Sequence, residues 1–276
     1  MAEHFIPQFY LKQFSPDNKC IYQYDVLAGK QMPVPVPIKS ICYENNLYEF
    51  RDNEGIIVYQ NLIEKMLSIY EGIFARTFRS IIAKTQHPSN SLILSFLSTD
   101  EKAFLIFFIS TLILRNPSFI NTGIEKAKEV FGSGITSYQA KNLTLKMCLP
   151  LYKEIDIEEK TLLNVILSWF EDLSFQVCVS DKDVFLTSDL PATIICNRSP
   201  HQIKEVFLPI SPRIMLHMVP EANTPKNGRN RMVVLSNKTI RTVCKEAFPN
   251  CQRWVYSKAP LTEQEIRMIE KGRHRK

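Results

Sequence analysis

The sequence predicts an α+β protein: a helical middle layer packed on a C-terminal, mainly antiparallel sheet, with a small N-terminal β segment. Three observations lead to this prediction. Short β-rich pieces and turns fill residues 1–58, apolar residues at helical spacing dominate 59–173, and an alternation with a period of two marks 174–256. With 276 residues, of which 45% are hydrophobic, the chain can bury one large core. We therefore expect a single domain that closes with a terminal helix and a basic tail at 257–276.

The N-terminal segment is predicted to consist of short strands and turns. Cys20–Tyr24 is rich in β-formers, and Ala28–Lys30 is typical of a turn. Three alternate prolines from Pro33 to Pro37 hold the next stretch extended, because the proline ring fixes φ. Leu47–Phe50 is then expected to pair before the turn at Asp52–Gly55.

The middle of the chain is predicted to contain five helices. The second begins at a capping box, Ser98-x-x-Glu101, and ends at Arg115-Asn-Pro117, where the proline stops it. Because its surface is apolar nearly all round, we expect it at the centre of the helical layer. The five predicted helices are 59–84, 98–115, 121–131, 138–149 and 157–173.

The C-terminal region is predicted to form the sheet. Phe175, Val177 and Val179 alternate with polar or small residues, a pattern typical of a half-buried strand. Closely spaced short strands favour antiparallel pairing. A loop rich in Pro, Asn and Gly is expected at 220–230. The other predicted strands are 184–187, 192–196, 204–209, 213–218, 231–235 and 253–256, with helices at 236–247 and from Thr262 onward.

Composition narrows the class of protein. The longest apolar run, Phe104–Leu114, has about half of the roughly twenty residues that a membrane span needs. Residue 1 onward lacks the basic start and apolar core of a signal peptide, so we expect a cytoplasmic protein without a membrane partner. The seven cysteines form no CxxC pair, and a cysteine-based metal site is not expected. The phosphate-loop, dinucleotide, GxSxG and HExxH motifs are all missing.

Charge is distributed unevenly along the chain. Residues 198–276 hold 16 basic and 6 acidic residues, whereas the rest of the chain has a small acidic excess. Such an asymmetry favours a partner with negative charge, either nucleic acid or a phosphorylated small molecule. We expect Lys226, Arg229 and Arg231 to form a nucleic-acid surface on an exposed loop, so that reversing the two arginine charges should cost little stability. The alternative is that the basic region serves only solubility.

Polar residues that the fold does not require are concentrated in a few segments. His4 and Gln8, separated by Pro7, could present two polar groups into a cleft, and His4 could act as a base near neutral pH. Glu64 and Glu71 lie about 10.5 Å apart along one predicted helix, on nearly the same face. Arg115 follows the most apolar helix, where it could hold an anion or complement the helix dipole.

The order of these segments resembles a bacterial family of unknown function, the domain-of-unknown-function family 4238. The resemblance covers residues 4 to about 257. Its motifs are His4-x-x-Pro7-Gln8-x-Tyr10-Leu11-x-x-Phe14, the pair Glu64 and Glu71, Arg115-Asn-Pro117, Phe185-Leu-Thr187-Ser188-Asp189-x-Pro191, Leu208-Pro-Ile-Ser211-Pro212-Arg213 and Asn237. No activity comes with the family. The resemblance implies that polar motif positions spread over 200 residues meet in one pocket.

The polar set is that of a phosphoester-directed hydrolase, for which a nuclease is one form. In this hypothesis, His4, Gln8, Glu71 and Asp189 are the catalytic residues, with His4 within hydrogen-bond reach of Asp189 or Glu71. A divalent metal ion is one group that their carboxylates could hold. Anion binding is assigned to Arg115, Ser188, Ser211 and Arg213. The alternative is a non-catalytic protein that binds nucleic acid or nucleotide, in which the same residues form a structural or recognition network. Buried, mutually satisfied polar groups would favour that alternative.

Overall fold

A computed structural model describes residues 2–87, 95–149, 161–197, 202–247 and 251–273. Helices and mainly antiparallel sheets share the chain, which confirms the predicted α+β class. Short 3-10 turns occur between them. The α-helices of the described residues are α1 (Gln8–Leu11), α2 (Leu62–Thr85), α3 (Thr99–Leu114), α4 (Pro117–Phe131), α5 (Ser137–Cys148), α6 (Leu162–Ser168), α7 (Asn237–Ala247) and α8 (Glu263–Arg273).

The helices follow the predicted pattern except at three ends. The predicted start of the first helix at 59 is wrong, because Ile57–Tyr59 forms a strand and α2 begins at Leu62. The capping box of α3 is present as predicted, with Ser98 and Glu101 bonded to each other's backbone. Helix α4 begins four residues before the predicted start, because the Asn116 side chain caps it and a proline suits its first position. The predicted extension of the fifth helix to Leu173 is wrong: α6 ends at Ser168, and Leu173 already belongs to a strand. Its predicted start at 157 lies outside the described residues.

The strands of the described residues are short. They are β1 (Ala2–His4), β2 (Cys20–Asp25), β3 (Lys30–Gln31), β4 (Val36–Pro37), β5 (Tyr43–Asn45), β6 (Phe50–Arg51), β7 (Ile57–Tyr59), β8 (Leu173–Val179), β9 (Thr187–Ser188), β10 (Thr193–Cys196), β11 (Ile203–Ser211), β12 (Ile214–Pro220), β13 (Arg231–Val234) and β14 (Trp254–Ser257). Of the predicted strand 184–187, only Thr187 is in a strand.

The main sheet has the order β10-β11-β12-β8-β13. The first four strands are antiparallel, and β13 runs parallel to β8. One face of this sheet packs on the helical layer, and the other is partly covered by α7 through Ile240, Val243 and Cys244. The helical layer therefore lies on the sheet as the sequence predicts.

A second sheet combines strands from both ends of the chain. Its order is β3-β2-β14-β9, with β4 also on β2, so the C-terminal strand β14 lies between an N-terminal strand and β9. Trp254 lies opposite Asp25 in this pairing. The expectation that residues 174–256 contribute to one sheet of their own is therefore wrong for β9 and β14.

The core is centred on α3, as predicted from its all-round apolar surface. Phe108 of α3 is fully buried and packs against the rings of Phe74, Phe78 and Tyr10 at centroid distances of 5.1, 5.0 and 5.7 Å. The N-terminal segment is thereby fixed to the helical layer. Within the described residues, no single helix has the length and apolar character to cross a membrane; only α3 and α4 taken together have them, and these meet at a bend of 61°.

Candidate functional site

Arg115 lies at the centre of a group of buried and half-buried ionisable residues. Its side chain is only 1% exposed, and Nη1 pairs with Glu71 Oε1 at 2.9 Å. Nη2 donates to the backbone carbonyl of His4, and Nε donates to the Tyr48 hydroxyl at 3.5 Å. The Tyr48 hydroxyl in turn donates to the carbonyl of Arg115. Since all three guanidinium nitrogens donate to groups of the protein, the predicted anion-binding role of Arg115 is not supported.

The helix ends hold this arginine in place. Arg115 follows the last residue of α3, and its amide donates to Thr111, which completes the final turn. Asn116 then accepts a hydrogen bond from the Ser118 amide and starts α4 at Pro117. The predicted stop at Arg115-Asn-Pro117 therefore forms a corner that turns the guanidinium into the core.

Strand β1 brings the N-terminal motif to Arg115. It pairs with β5 so that His4 lies opposite Tyr43, and the carbonyl of His4 reaches Arg115. Beyond the strand, Ile6, Tyr10 and Phe14 are buried and anchor the segment. Burial of each such side chain contributes about 1.5–3 kcal/mol, so the position of His4 is determined by its apolar neighbours.

The His4 imidazole is half-buried. Gln8 Nε2 donates to His4 Nε2 at 3.4 Å, so this nitrogen is the acceptor and the ring is neutral in this arrangement. Burial lowers the pKa of His4, while a hydrogen bond to the backbone of Lys39 and the Glu71 carboxylate oppose this effect. In the described residues, the imidazole makes no hydrogen bond to Asp189 or Glu71, so the predicted direct contact with either is not observed.

Glu64 and Glu71 project from α2 toward Arg115. Burial raises the pKa of Glu64 to about 7; the Arg115 charge opposes this shift, and the Glu71 and Glu3 carboxylates reinforce it. Glu64 Oε2 is buried and lacks a hydrogen-bond partner among the described residues. The two carboxylates are thus half-buried members of one cluster, and Glu64 ionises in the physiological pH range.

Sequence reasoning missed four members of this environment. Glu3 is fully buried and accepts a hydrogen bond from the amide of Tyr48 at 2.9 Å, and burial raises its pKa. Glu49 accepts from the amide of Asn61, the residue that precedes α2. A carboxylate inside the apolar string Leu47-Tyr-Glu-Phe50 is a signal that could have drawn attention to Glu49. We use the name N-terminal polar cluster for Glu3, His4, Gln8, Tyr48, Glu49, Asn61, Glu64, Glu71 and Arg115.

Asp189 belongs to a different and structural arrangement. Its Oδ1 accepts from the amide of Gln252, and its Oδ2 accepts from the amides of Arg253 and Trp254, at 2.8–3.0 Å. Burial raises its pKa, and these three donors oppose the shift. A carboxylate that is 5% exposed and fully engaged with backbone holds the start of β14, and the predicted catalytic role of Asp189 is not supported.

The remaining motif residues near Asp189 are also bonded within the fold. The Tyr10 hydroxyl donates to the carbonyl of Pro209 at 2.8 Å and therefore accepts from Thr187 Oγ1, also at 2.8 Å. Ser188 Oγ contacts both the amide and the carbonyl of Leu190. Ser188 thus ends β9 and bonds to the turn that follows, and its predicted anion-binding role is not supported.

Ser211 and Arg213 lie at the β11–β12 turn. Ser211 Oγ accepts from the amide of Arg213, and the guanidinium of Arg213 pairs with Asp183 at 2.6 Å on an exposed surface. Lys258 also pairs with Asp183. Neither Ser211 nor Arg213 contacts the N-terminal polar cluster in the described residues, so the prediction of one pocket for all motifs does not hold.

The predicted nucleic-acid loop is held by its own hydrogen bonds. Arg229 pairs with Glu221 at 2.6 Å and also donates to the carbonyls of Glu221 and Thr224. Arg231 begins β13 and donates to the carbonyl of Asn227, while Lys226 is exposed. These contacts do not support the expectation that charge reversal at Arg229 costs little stability, because the guanidinium bonds to two other residues of the loop.

Proton transfer is the chemistry that the N-terminal polar cluster suits best. Among the residues that the structure describes, no three His, Cys, Asp or Glu side chains are placed to hold a metal ion. The cluster instead combines a neutral, half-buried imidazole with a carboxyl group that titrates near pH 7. Both groups interact with the Arg115–Glu71 ion pair.

The fold and the cluster define an α+β protein with a half-buried, titratable site beside its N-terminal strand. The chain belongs to a protein family of unknown function, DUF4238, whose model matches residues 3–260. No curated protein and no solved structure matches the chain.

Proposed function

We propose that this protein is a hydrolase that works by general acid–base catalysis at the N-terminal polar cluster. The observation that carries the proposal is that burial moves the pKa of Glu64 up to about 7 and lowers the pKa of His4. Two titratable groups in different protonation states beside one ion pair are what acid–base catalysis needs. Glu64 is protonated in part of the population at neutral pH and can donate to a leaving group. His4 is neutral, and its Nε2 can accept a proton from a water molecule that replaces the 3.4 Å hydrogen bond from Gln8.

The charges of the cluster do not favour a phosphoester as the substrate of this hydrolase. A phosphate needs cationic or N–H donors, and the guanidinium of Arg115 is occupied by Glu71, His4 and Tyr48. Around it lie the carboxylates of Glu3, Glu49, Glu64 and Glu71. A group that is neutral or positive fits this surrounding better than an anion does.

Glu64→Gln tests the catalytic role. We expect it to lower the rate of hydrolysis of an alkyl ester such as ethyl acetate about 10²–10⁴-fold and to remove the limb near pH 7 from the rate profile, because an alkoxide leaving group needs a proton that Gln cannot donate. The same assay on p-nitrophenyl phosphate reports the phosphoester class. Glu125→Gln, on the exposed surface of α4, is the matched control and should keep the wild-type rate. A Glu64→Gln variant with the wild-type rate and pH profile would contradict the proposal.

The stability of Glu64→Gln provides the control for folding. In the unfolded chain Glu64 ionises near pH 4.5, whereas in the folded protein it ionises near 7. Wild-type stability therefore falls as the pH rises between these values, because the unfolded state releases its proton first. Gln lacks this effect, so the variant should be more stable than wild type above pH 7 and equal to it below about pH 4.

Nucleic-acid binding is the second candidate function, and α7 supports it. Lys238, Arg241 and Lys245 are exposed, and their spacing of three and four residues places them on one helix face. They form no ion pair with the rest of the described chain. This face, opposite the apolar side that covers the sheet, is a better basic surface than the loop predicted from the sequence.

Replacing Lys238, Arg241 and Lys245 together by glutamate is expected to remove the binding of single-stranded DNA. Each phosphate contact adds a counterion-release contribution, so wild-type affinity should fall steeply with salt and the variant should show a smaller slope. Fluorescence anisotropy of a labelled oligonucleotide measures both. Reversal of Lys126 and Lys128 on α4, which pair with neighbouring glutamates, is the matched control. Wild-type binding that ignores salt would contradict this function.

A further inference from the structure

A cavity of about 240 Å³ lies where three segments of the chain meet, and the proposed hydrolase site does not use it. The segments are the loop between β8 and β9, the β11–β12 turn, and the residues that join β14 to α8. None of the residues of the described chain that line this cavity belongs to the N-terminal polar cluster. Most of its wall is apolar and includes Phe185, Leu186, Pro212, Pro260 and Leu261. Ligand pockets are typically apolar cavities with a few polar groups, and this volume suits one small molecule.

Hydrogen bonds from the main chain hold the walls of the cavity together. The carbonyl of Pro212 accepts from the amides of Val184 and Phe185 at 2.8 and 2.9 Å, which ties the β8–β9 loop to the β11–β12 turn. The amide of Leu261 donates to the side chain of Gln31 at 2.7 Å, which fastens the third segment to the second sheet. The walls are therefore in place before a ligand arrives, and binding does not have to order them.

One carboxylate at the rim of the cavity is shared by two cations. Asp183 Oδ1 accepts from Arg213 Nε at 2.6 Å, and Asp183 Oδ2 accepts from Lys258 Nζ at 3.1 Å. Asp183 and Lys258 line the cavity, and Arg213 directly follows Pro212 in its wall. Within the described residues, the Nη groups of Arg213 and the other N–H groups of Lys258 have no hydrogen-bond partner. These three side chains therefore leave one excess positive charge and several free donors at the rim.

The remaining ionisable residue of the lining is a carboxylate with a structural role. Glu265 Oε2 accepts from the amide and the hydroxyl of Thr262, both at 2.7 Å, and so caps α8. Its charge limits how much negative charge the cavity can accept. A carboxylate carries a single negative charge, whereas a phosphate monoester carries about 1.5–2 at neutral pH. The charges around the cavity therefore favour a monoanion.

We propose that this cavity binds a small monocarboxylate with an apolar body. Arg213 and Lys258 donate to the carboxylate, because the planar guanidinium matches the two oxygens of a carboxylate and the ammonium adds charge. The body of the ligand packs against Phe185 and Leu261, and Asp183 holds both cations at the rim. This second site goes beyond the proposed hydrolase function and shares no residue with it, so either proposal can fail without the other.

The test is a titration of the full-length protein with benzoate, followed by backbone amide NMR, with benzyl alcohol and benzylamine as the uncharged and cationic analogues. We expect saturable shifts at the amides of Phe185, Lys258 and Leu261 with benzoate. Both analogues should bind at least about tenfold more weakly, because the charge-assisted hydrogen bonds are lost. No saturable response to benzoate, or an equal response to benzyl alcohol, would overturn the proposal. Phenyl phosphate that binds more tightly than benzoate would overturn the choice of a carboxylate.

Two variants connect the binding to the rim. Arg213→Gln and Lys258→Gln should each weaken benzoate binding about tenfold, the loss of one charged partner. Both variants are expected to fold, since the two side chains are 59% and 45% exposed, and circular dichroism checks this.

Lys182→Gln is the matched control. Lys182 is exposed and lies next to Asp183, but it does not line the cavity, so its removal should leave the affinity for benzoate at the wild-type value. Unchanged affinity in both rim variants, or an equal loss in the control, would overturn the assignment of the carboxylate to Arg213 and Lys258.

Discussion

Replacing Arg115 by methionine is expected to lower the free energy of unfolding by about 3–5 kcal/mol, the largest loss of any single substitution that we consider. Methionine fills a similar volume but leaves the Glu71 carboxylate, the His4 carbonyl and the Tyr48 hydroxyl without their shared donor. Without its cation, the half-buried Glu71 carboxylate also repels the carboxylate of Glu64. Urea denaturation followed by circular dichroism at neutral pH measures the change.

The double variant Arg115→Met with Glu71→Gln serves as its control. Removing the stranded charge should recover part of the lost stability, because most of the cost comes from an unpaired buried carboxylate. If Arg115→Met lowers the free energy of unfolding by less than about 1 kcal/mol, the Arg115–Glu71 ion pair contributes no more than a surface pair does. That result would contradict its central role.

Asp189→Asn is expected to cost about 2–3 kcal/mol, the second largest effect. Its two oxygens accept from three backbone amides, and an asparagine can present an oxygen to one side only. The other side then brings an NH₂ group against N–H donors. Thermal and urea unfolding measure the loss, and Asp181→Asn in the nearby exposed turn is the matched control.

This substitution separates structure from catalysis at a motif residue. If Asp189 only holds β14, ester hydrolysis per folded molecule should stay at the wild-type value. If Asp189→Asn instead keeps the wild-type stability and loses ester hydrolysis, Asp189 is a catalytic residue after all.

The sequence predicted correctly those helices and strands whose ends are determined by their own residues. The capping box at Ser98 and the proline after Asn116 determine α3, and strict alternation from Phe175 marks β8. The sequence could not predict which strand each short strand pairs with. Nothing in Trp254–Ser257 indicates that it pairs with Cys20–Asp25, because strand pairing depends on packing across the whole chain.

Half of the candidate site could be predicted from the sequence. His4, Gln8, Glu71 and Arg115 come together as the motif order suggests. Asp189 and Ser211 lie elsewhere and bond to backbone amides. The sequence could not predict this, because an aspartate or serine looks the same whether it bonds to the backbone or binds a substrate. Glu3 escaped notice because only the fold reveals that it is fully buried.

The position of β14 between β2 and β9 has a consequence for how the chain is made. Strand β2 leaves the ribosome long before β14, because Trp254 lies opposite Asp25 and is made much later in the chain. Until then the edge of β2 that β14 will cover has no partner, and such edges promote aggregation. Closing so long a loop is entropically costly and slow. The N-terminal polar cluster can therefore form once α3 has been made, whereas the sheet that contains β2 must wait for β14, and chaperones have most to protect in that interval.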